Sequence, residues 1–247
     1  MNTTTNTIGE IAKNISDTQD TKGVKRLDYY NISMKMPDAL NLFVNFGKTF
    51  TPKFVCDKDN KWAFSQIICW TFADKAMRSI DPKSFAEGKL QVIEGNPSKG
   101  LYICGPTGTG KSLALEVLGE FIRYAKPHAR ICGERQTIQW LCYRAADIWG
   151  AAAIDPHAID WYKKFPILCI QDLGSEPASD AVYMGSRREP LREILEYRGD
   201  RHDILTLISS NYAIDSPEIH SRYGDRVASR LREMCNMIII TGKDRRQ

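Results

Sequence analysis

The chain has seven cysteines, at 56, 69, 104, 132, 142, 169 and 235, yet no two of them stand in C-x-x-C spacing. An odd, unpaired set argues against a disulfide framework. Cys104 and Cys169 also sit inside apolar runs, where a thiol behaves as a small hydrophobe. Histidine is scarce, and the four residues at 128, 157, 202 and 220 stand alone, so zinc-ligand spacing is lacking. No apolar run approaches membrane-spanning length, and the opening MNTTTNTIGEIAKNISDTQD has no apolar signal core. A surplus of one charge is missing too, since 34 Lys and Arg face 30 Asp and Glu. The resulting +4 permits a nucleic-acid partner but does not call for one, because that takes a basic face rather than a total. There is no internal repeat. These absences leave a reduced, cytoplasmic globular protein as the expectation.

A length of 247 residues suits one α/β domain with an appendage. Residues 1–35, rich in Thr, Asn, Asp and Lys, read as a disordered polar tail. Residues 36–97 read as a helical N-terminal region. One short helix opens at Pro37 and Asp38 and ends near Gly47. A second covers about 61–79, with Phe64, Ile67, Ile68, Phe72 and Met77 at helical spacing. Its wide apolar face suits packing on the main domain or docking of a partner.

From residue 98 to 247 strands and helices alternate. Apolar runs at 100–104, 137–143, 167–170, 204–210 and 237–241 read as five strands. Helical patterns lie at 113–125, in RAADIWGAAA, at 190–198 and at 225–234. Strands that are apolar throughout and joined by helices imply a parallel sheet covered on both faces.

GPTGTGKS, residues 105–112, matches G-x-x-x-x-G-K-[ST] in full, after a strand and at the start of a helix. Gly105, Gly108 and Gly110 let backbone N–H groups of a loop that includes Pro106, Thr107 and Thr109 turn around phosphate oxygens. The helix N-terminus adds its positive end. Lys111 reaches the β- and γ-phosphates, and the Ser112 hydroxyl can ligate Mg²⁺. An N-K-x-D base-reading motif is absent, which favours ATP over GTP.

Together with CIQDLGSEP, TLISSN and YGDRVASRL, the loop resembles the AAA+ ATPases of the DnaC/IstB type, replicative-helicase loaders and transposition helper ATPases. The resemblance covers about 99–247. It implies an AAA+ type P-loop fold with a five-stranded parallel sheet flanked by helices; a separate C-terminal lid of the larger AAA+ type is not expected, because few residues follow the last strand. It also implies that Asn211 orients the attacking water. Arg230, or Arg226 one helical turn earlier, would be a finger reaching a neighbouring subunit's nucleotide. Each of these has a plainer reading, a strand-end turn asparagine and a solvated helix face. Arg245 or Arg246 corresponds weakly to a C-terminal arginine near the nucleotide.

The family's strand usually ends in Asp-Asp or Asp-Glu before LG, the first acid serving Mg²⁺ and the second the attacking water. Aligned on DLG, Gln171 falls first and Asp172 second. Gln171 can accept a hydrogen bond from metal-bound water but brings no charge. The grip on Mg²⁺ should therefore weaken, and an aspartate at 171 should strengthen it. A register shift would instead let Asp172 serve Mg²⁺, with Glu176 or ordered water assisting, although a surface Glu in GSEP needs no explanation.

The resemblance implies a replicative helicase and single-stranded DNA as partners, with self-association on ATP and DNA. A transposition helper and a non-hydrolysing ATP-gated adaptor are the alternatives. WYKK (161–164), YR (143–144) and SRR (186–188) mix rings or small residues with positive charge, as single-strand binders do, and each is also an ordinary surface turn.

Overall fold

Strands that are apolar on both faces demand cover on both faces, and the chain supplies it. The computed structural model describes residues 25–27, 34–183 and 186–245. The tail expected over 1–35 lies outside those residues apart from 25–27 and 34–35, as does Arg246. From β1 (Lys25–Leu27) the chain runs through α1 (Met36–Phe50), α2 (Lys61–Thr71), β2 (Arg78–Ile80), α3 (Pro82–Ala86) and β3 (Val92–Glu94). Strand β4 (Gly100–Cys104) leads into α4 (Lys111–Ala125), a hairpin of β5 (His128–Ile131) and β6 (Glu134–Thr137), and β7 (Cys142–Arg144). Helices α5 (Ala145–Ile154) and α6 (Ala158–Lys164) precede β8 (Ile167–Leu173), the hairpin β9 (Ala181–Tyr183) and β10 (Ser186–Arg188), and α7 (Pro190–Gly199). Strand β11 (Leu205–Ser210), α8 (Pro217–Met234) and β12 (Cys235–Ile239) follow.

The main sheet has the order β3-β2-β12-β4-β11-β8-β7. Its five strands from β12 to β7 pair in parallel, as the sequence implies. Two strands more than expected, β2 and β3, extend it antiparallel at the β12 edge. Each has three residues, too short for an alternation to register. The single strand expected over 137–143 is two: β6 ends at Thr137 in its hairpin, and β7 begins at Cys142 in the main sheet. The helix expected to reach 79 stops at Thr71, with Ala73 at φ 51° turning the chain toward β2. The C-terminal helix is longer than expected and is broken at Gly224, which takes φ 82°.

Alternate residues along the strands face opposite cores. Leu101, Ile103, Cys169 and Leu207 pack beneath α1, α2 and α4. Tyr102, Leu168, Ile170 and Ile208 pack with residues of α5 to α8. Of the two readings of the second N-terminal helix, α2 packs within the chain, with Phe64, Ile67 and Ile68 buried in the first core. Phe43, Phe54, Phe64 and Phe121 join there: Phe54 and Phe64 stack with centroids 5.3 Å apart, and Phe43 meets Phe121 edge-on at 6.3 Å. Such pairs add about 0.5–1.5 kcal/mol each beyond their burial. They fix residues 51–60 beside the P-loop.

The far end of the sheet is held by a fully buried Arg198. It donates to the carbonyls of Phe165 at 2.7 Å, Lys163 at 3.2 Å and Leu205, and to Thr206 Oγ1 at 3.0 Å. Burial pulls its pKa down to about 9, which leaves it protonated at neutral pH. It seats the last turn of α6 on the starts of β8 and β11, opposite the end where the strands' carboxyl termini gather.

Candidate nucleotide-binding site

The carboxyl ends of β4, β8 and β11 meet at one crevice, where open α/β sheets hold ligands. Gly110, the residue before α4, takes φ 91°, a conformation glycine adopts without cost. Gly108, at φ 79°, is also constrained from outside, because a Cβ there would lie 2.1 Å from the Asp244 carboxyl. Thr109 Oγ1 donates to the Pro106 carbonyl at 2.9 Å and closes the turn. Lys111 is buried, and its Nζ donates to Pro106 O and to Asn211 Oδ1, both at 2.8 Å. The two groups the sequence offers for the terminal phosphate therefore touch, from positions a hundred residues apart.

The end of β8 is irregular. It pairs with β11 residue for residue up to Ile208↔Ile170, and the next pair is Ser210↔Leu173. Gln171 and Asp172 together oppose the single Ser209, which is a β-bulge. Asp172 takes φ 55°, a conformation uncommon for a residue with a Cβ. Bulges re-aim side chains, and this one turns two successive residues toward Ser112. Ser112 Oγ donates to Asp172 Oδ1 at 2.9 Å and lies 3.0 Å from Ser209 Oγ, which accepts the Asp172 backbone N–H at 3.0 Å. Gln171 Nε2 donates to the Ser112 carbonyl at 3.3 Å and to Glu116 Oε1 at 2.9 Å.

This differs from the alignment on DLG in a definite way. Gln171 turns its amide N–H group under the loop rather than an oxygen toward a metal's water. Asp172 is the acid against Ser112, in the register the sequence offered as its alternative. Glu176 is neither on the surface nor among the residues lining the crevice: it is buried, its Oε1 accepting from Arg222 Nε at 2.9 Å and from the Tyr223 hydroxyl, its Oε2 from the Gly174 N–H at 3.0 Å. Ser209 was missed. Its only trace in the sequence is a hydroxyl pair before Asn211, in a strand whose other residues are mostly apolar.

The crevice holds a cavity of about 680 Å³, within the range of small-molecule sites. Lys111, Ser112, Asp172 and Asn211 line it, and so do Phe54 and Val55. Among the described residues, Asp172 is the one carboxylate in the lining. Arg245 also lines it, with its backbone N–H on Gly108 O at 2.9 Å and its guanidinium bidentate on Asp57 at 2.7 and 3.0 Å. That hydrogen-bonded arginine holds the Asp57 carboxyl below its ordinary range.

Arg226 and Arg230 are away from the cavity. Both reach from α8 to Asp200 at the end of α7, and Arg230 also pairs with Glu233 at 3.0 Å. The three aromatic-basic or serine-arginine segments do converge. Tyr143 and Trp161 rings lie 6.3 Å apart, and Lys163 and Arg188 share Glu193.

No protein-family model matches the chain, and no curated protein matches it in sequence. Solved structures do. A protein described as a primosome component of Streptococcus pyogenes serotype M3 is 22% identical over 75% of this chain and 81% of its own, with a TM-score of 0.47. The DnaC helicase loader is 20% identical over 75% and 92%, with a TM-score of 0.48. AMPPCP-bound DnaA from Aquifex aeolicus is 16% identical over 76% and 48%, with a TM-score of 0.44. DnaC is thus among the structures this chain is similar to. At these identities and scores the likeness adds no functional argument, and the P-loop α/β fold stands on the strand order and the loop themselves.

Proposed function

We propose that the chain is an ATP-binding switch that hydrolyses ATP slowly and acts in DNA replication by loading a replicative helicase onto single-stranded DNA. The observation that carries the nucleotide reading is the meeting of Lys111 with Asn211 and of Ser112 with Asp172 at one cavity. Lys111 would hold the terminal phosphates and release its bonds to Pro106 and Asn211 as it does so. Asn211, freed, would orient water. The Ser112 hydroxyl and Asp172 carboxylate are hard oxygen donors of the kind Mg²⁺ takes beside phosphate. Bound there, the ion would supply charge stabilisation to the phosphoryl group. Phe54 and Val55 would face the base.

A specific observation favours the non-hydrolysing adaptor as the second reading. With Asp172 set against Ser112 and Glu176 locked on Arg222, no second carboxylate among the described residues lines the cavity to polarise water. Hydrolysis would then rest on positioning alone until a partner completes the site.

The helicase-loader role, the single-stranded DNA and self-association come from the motif resemblance. Three measurements test them: calorimetry with ATP and Mg²⁺, sedimentation with a non-hydrolysable analogue and single-stranded DNA, and a pull-down scored for a replicative helicase or a transposase. No ATP binding removes the switch. Capture of a transposase and no helicase replaces the loader with a transposition helper. A strict monomer under every condition removes the finger role of Arg230 and Arg226 and leaves the adaptor.

A further inference from the structure

The side chain of Gln171 has two neighbours within hydrogen-bonding distance, the Ser112 carbonyl and the Glu116 carboxylate, and both are acceptors. Position 171 therefore needs a donor. An amide provides two N–H groups, whereas an ionised aspartate provides none. With aspartate there, two carboxylates would face each other at a site where Gln171 is buried and Glu116 half-buried, and the Ser112 carbonyl would lose a donor. The residue that looks like a degraded acid in sequence is fitted to an acid on the neighbouring helix.

Glu116 lies one turn after Ser112 on α4, so its backbone moves only with the P-loop helix. Gln171 is the first of the two bulged residues, and Asp172 is the second. We infer that Glu116 is a positioning residue: through Gln171 it pins the bulge of β8 to α4 and sets the Asp172 carboxylate against Ser112 Oγ. Negative charge that other chains of this type carry on the strand is carried by the helix. The inference rests on the reading of Ser112 and Asp172 as the Mg²⁺ side of an ATP site.

The pair makes a charge-swap test available. Parent, Glu116→Ala, Gln171→Asp and the double variant Glu116→Gln/Gln171→Asp are compared for ATP affinity with Mg²⁺ and with a chelator. Glu116→Ala and Gln171→Asp should each weaken Mg²⁺-dependent binding about tenfold, or about 1.4 kcal/mol, and leave metal-free binding within about twofold. The swap, which puts an amide donor on the helix and a carboxylate on the strand, should recover most of the loss. A purely structural contact would depress both affinities alike, and that result overturns the inference. So does a Gln171→Asp protein that binds ATP with Mg²⁺ as well as or better than the parent. If the parent binds no ATP at all, the nucleotide reading fails, and the pair is then judged by melting: Gln171→Asp should melt lower than the parent, the swap should recover it, and additive effects of the two changes overturn the pairing.

Discussion

The P-loop and the end of β8 face each other across one cavity, and they are held in shape by opposite means. Between Gly105 and Ser112 the backbone is set mainly by local features, Gly110 at φ 91°, a Thr109 to Pro106 bond three residues long and the first turn of α4, with the Arg245 N–H on Gly108 O added from the C-terminus. Between Gln171 and Glu176 almost nothing is local. Gln171 depends on Glu116, Asp172 on Ser112 and Ser209, and Glu176 on Arg222 and Tyr223, partners 37 to 60 positions away. A local frame can be damaged in its ligand chemistry while the fold persists. A frame assembled from distant partners couples chemistry to stability, so the same kind of substitution should read out differently on the two sides.

The largest contrast is expected at Glu176. Replacing it with alanine removes the carboxylate from Tyr223, the Gly174 N–H and Arg222, which keeps the backbone carbonyls of residues 176 and 177, at a site where the side chain is 3% exposed. Because Arg222 keeps some exposure, the lower part of the range for breaking a buried pair applies, about 3 kcal/mol in urea unfolding. A loss under about 1 kcal/mol, the level of a surface pair, would mean the strand end does not rely on this lock.

Lys111→Ala should behave in the reverse manner. ATP affinity should drop by about 1.5–3 kcal/mol, the range for a charged hydrogen bond, with ligand-free melting little changed. Equal calorimetric affinities for variant and parent would remove the loop from the site.

Ser209→Ala sharpens the comparison between the two. It leaves the Asp172 N–H without its acceptor and should cost about 1–2 kcal/mol of stability. Affinity for ATP should fall mainly in the presence of Mg²⁺, because the bulge no longer fixes Asp172. Loss of metal-free affinity to the same extent would place Ser209 in the general packing rather than at the metal side.

The smallest effect is expected at the Asp57–Arg245 clasp, which is partly exposed, so Asp57→Asn should cost about 1 kcal/mol or less. Its pH dependence has a fixed sign. Asp57 is held below its ordinary range by Arg245, so the clasp contributes fully above the unfolded carboxylate pKa of about 3.9 and is lost as pH falls through the lower folded value. The difference in melting between parent and variant should thus be constant from neutral pH down to about 5 and vanish in stronger acid. A difference that changes between pH 8 and pH 6 would point to another group.

The sequence by itself determined the P-loop, four of the five parallel strands and most of the helices that cover them, while the fifth strand, expected over 137–143, is β7 at Cys142–Arg144. Those features rest on contiguous patterns: glycines at fixed offsets, apolar runs in β4, β8, β11 and β12, and helical periodicity in α4 and α7. It also placed Asn211 correctly at a strand end, since that position follows directly from where β11 stops. Only the tertiary structure decided that β2 and β3 join the sheet, that residues of the 51–60 segment line the cavity, that Glu176 is buried, and that Asp172 rather than Gln171 meets the Ser112 hydroxyl. Each of these turns on a partner far away in the chain. The bulge shows the reason most directly. Alternation along a strand assigns Gln171 and Asp172 to opposite faces. One unpaired residue opposite Ser209 cancels that alternation, and such a residue shows only in the pairing with the neighbouring strand, which the run ILCIQDLG does not display.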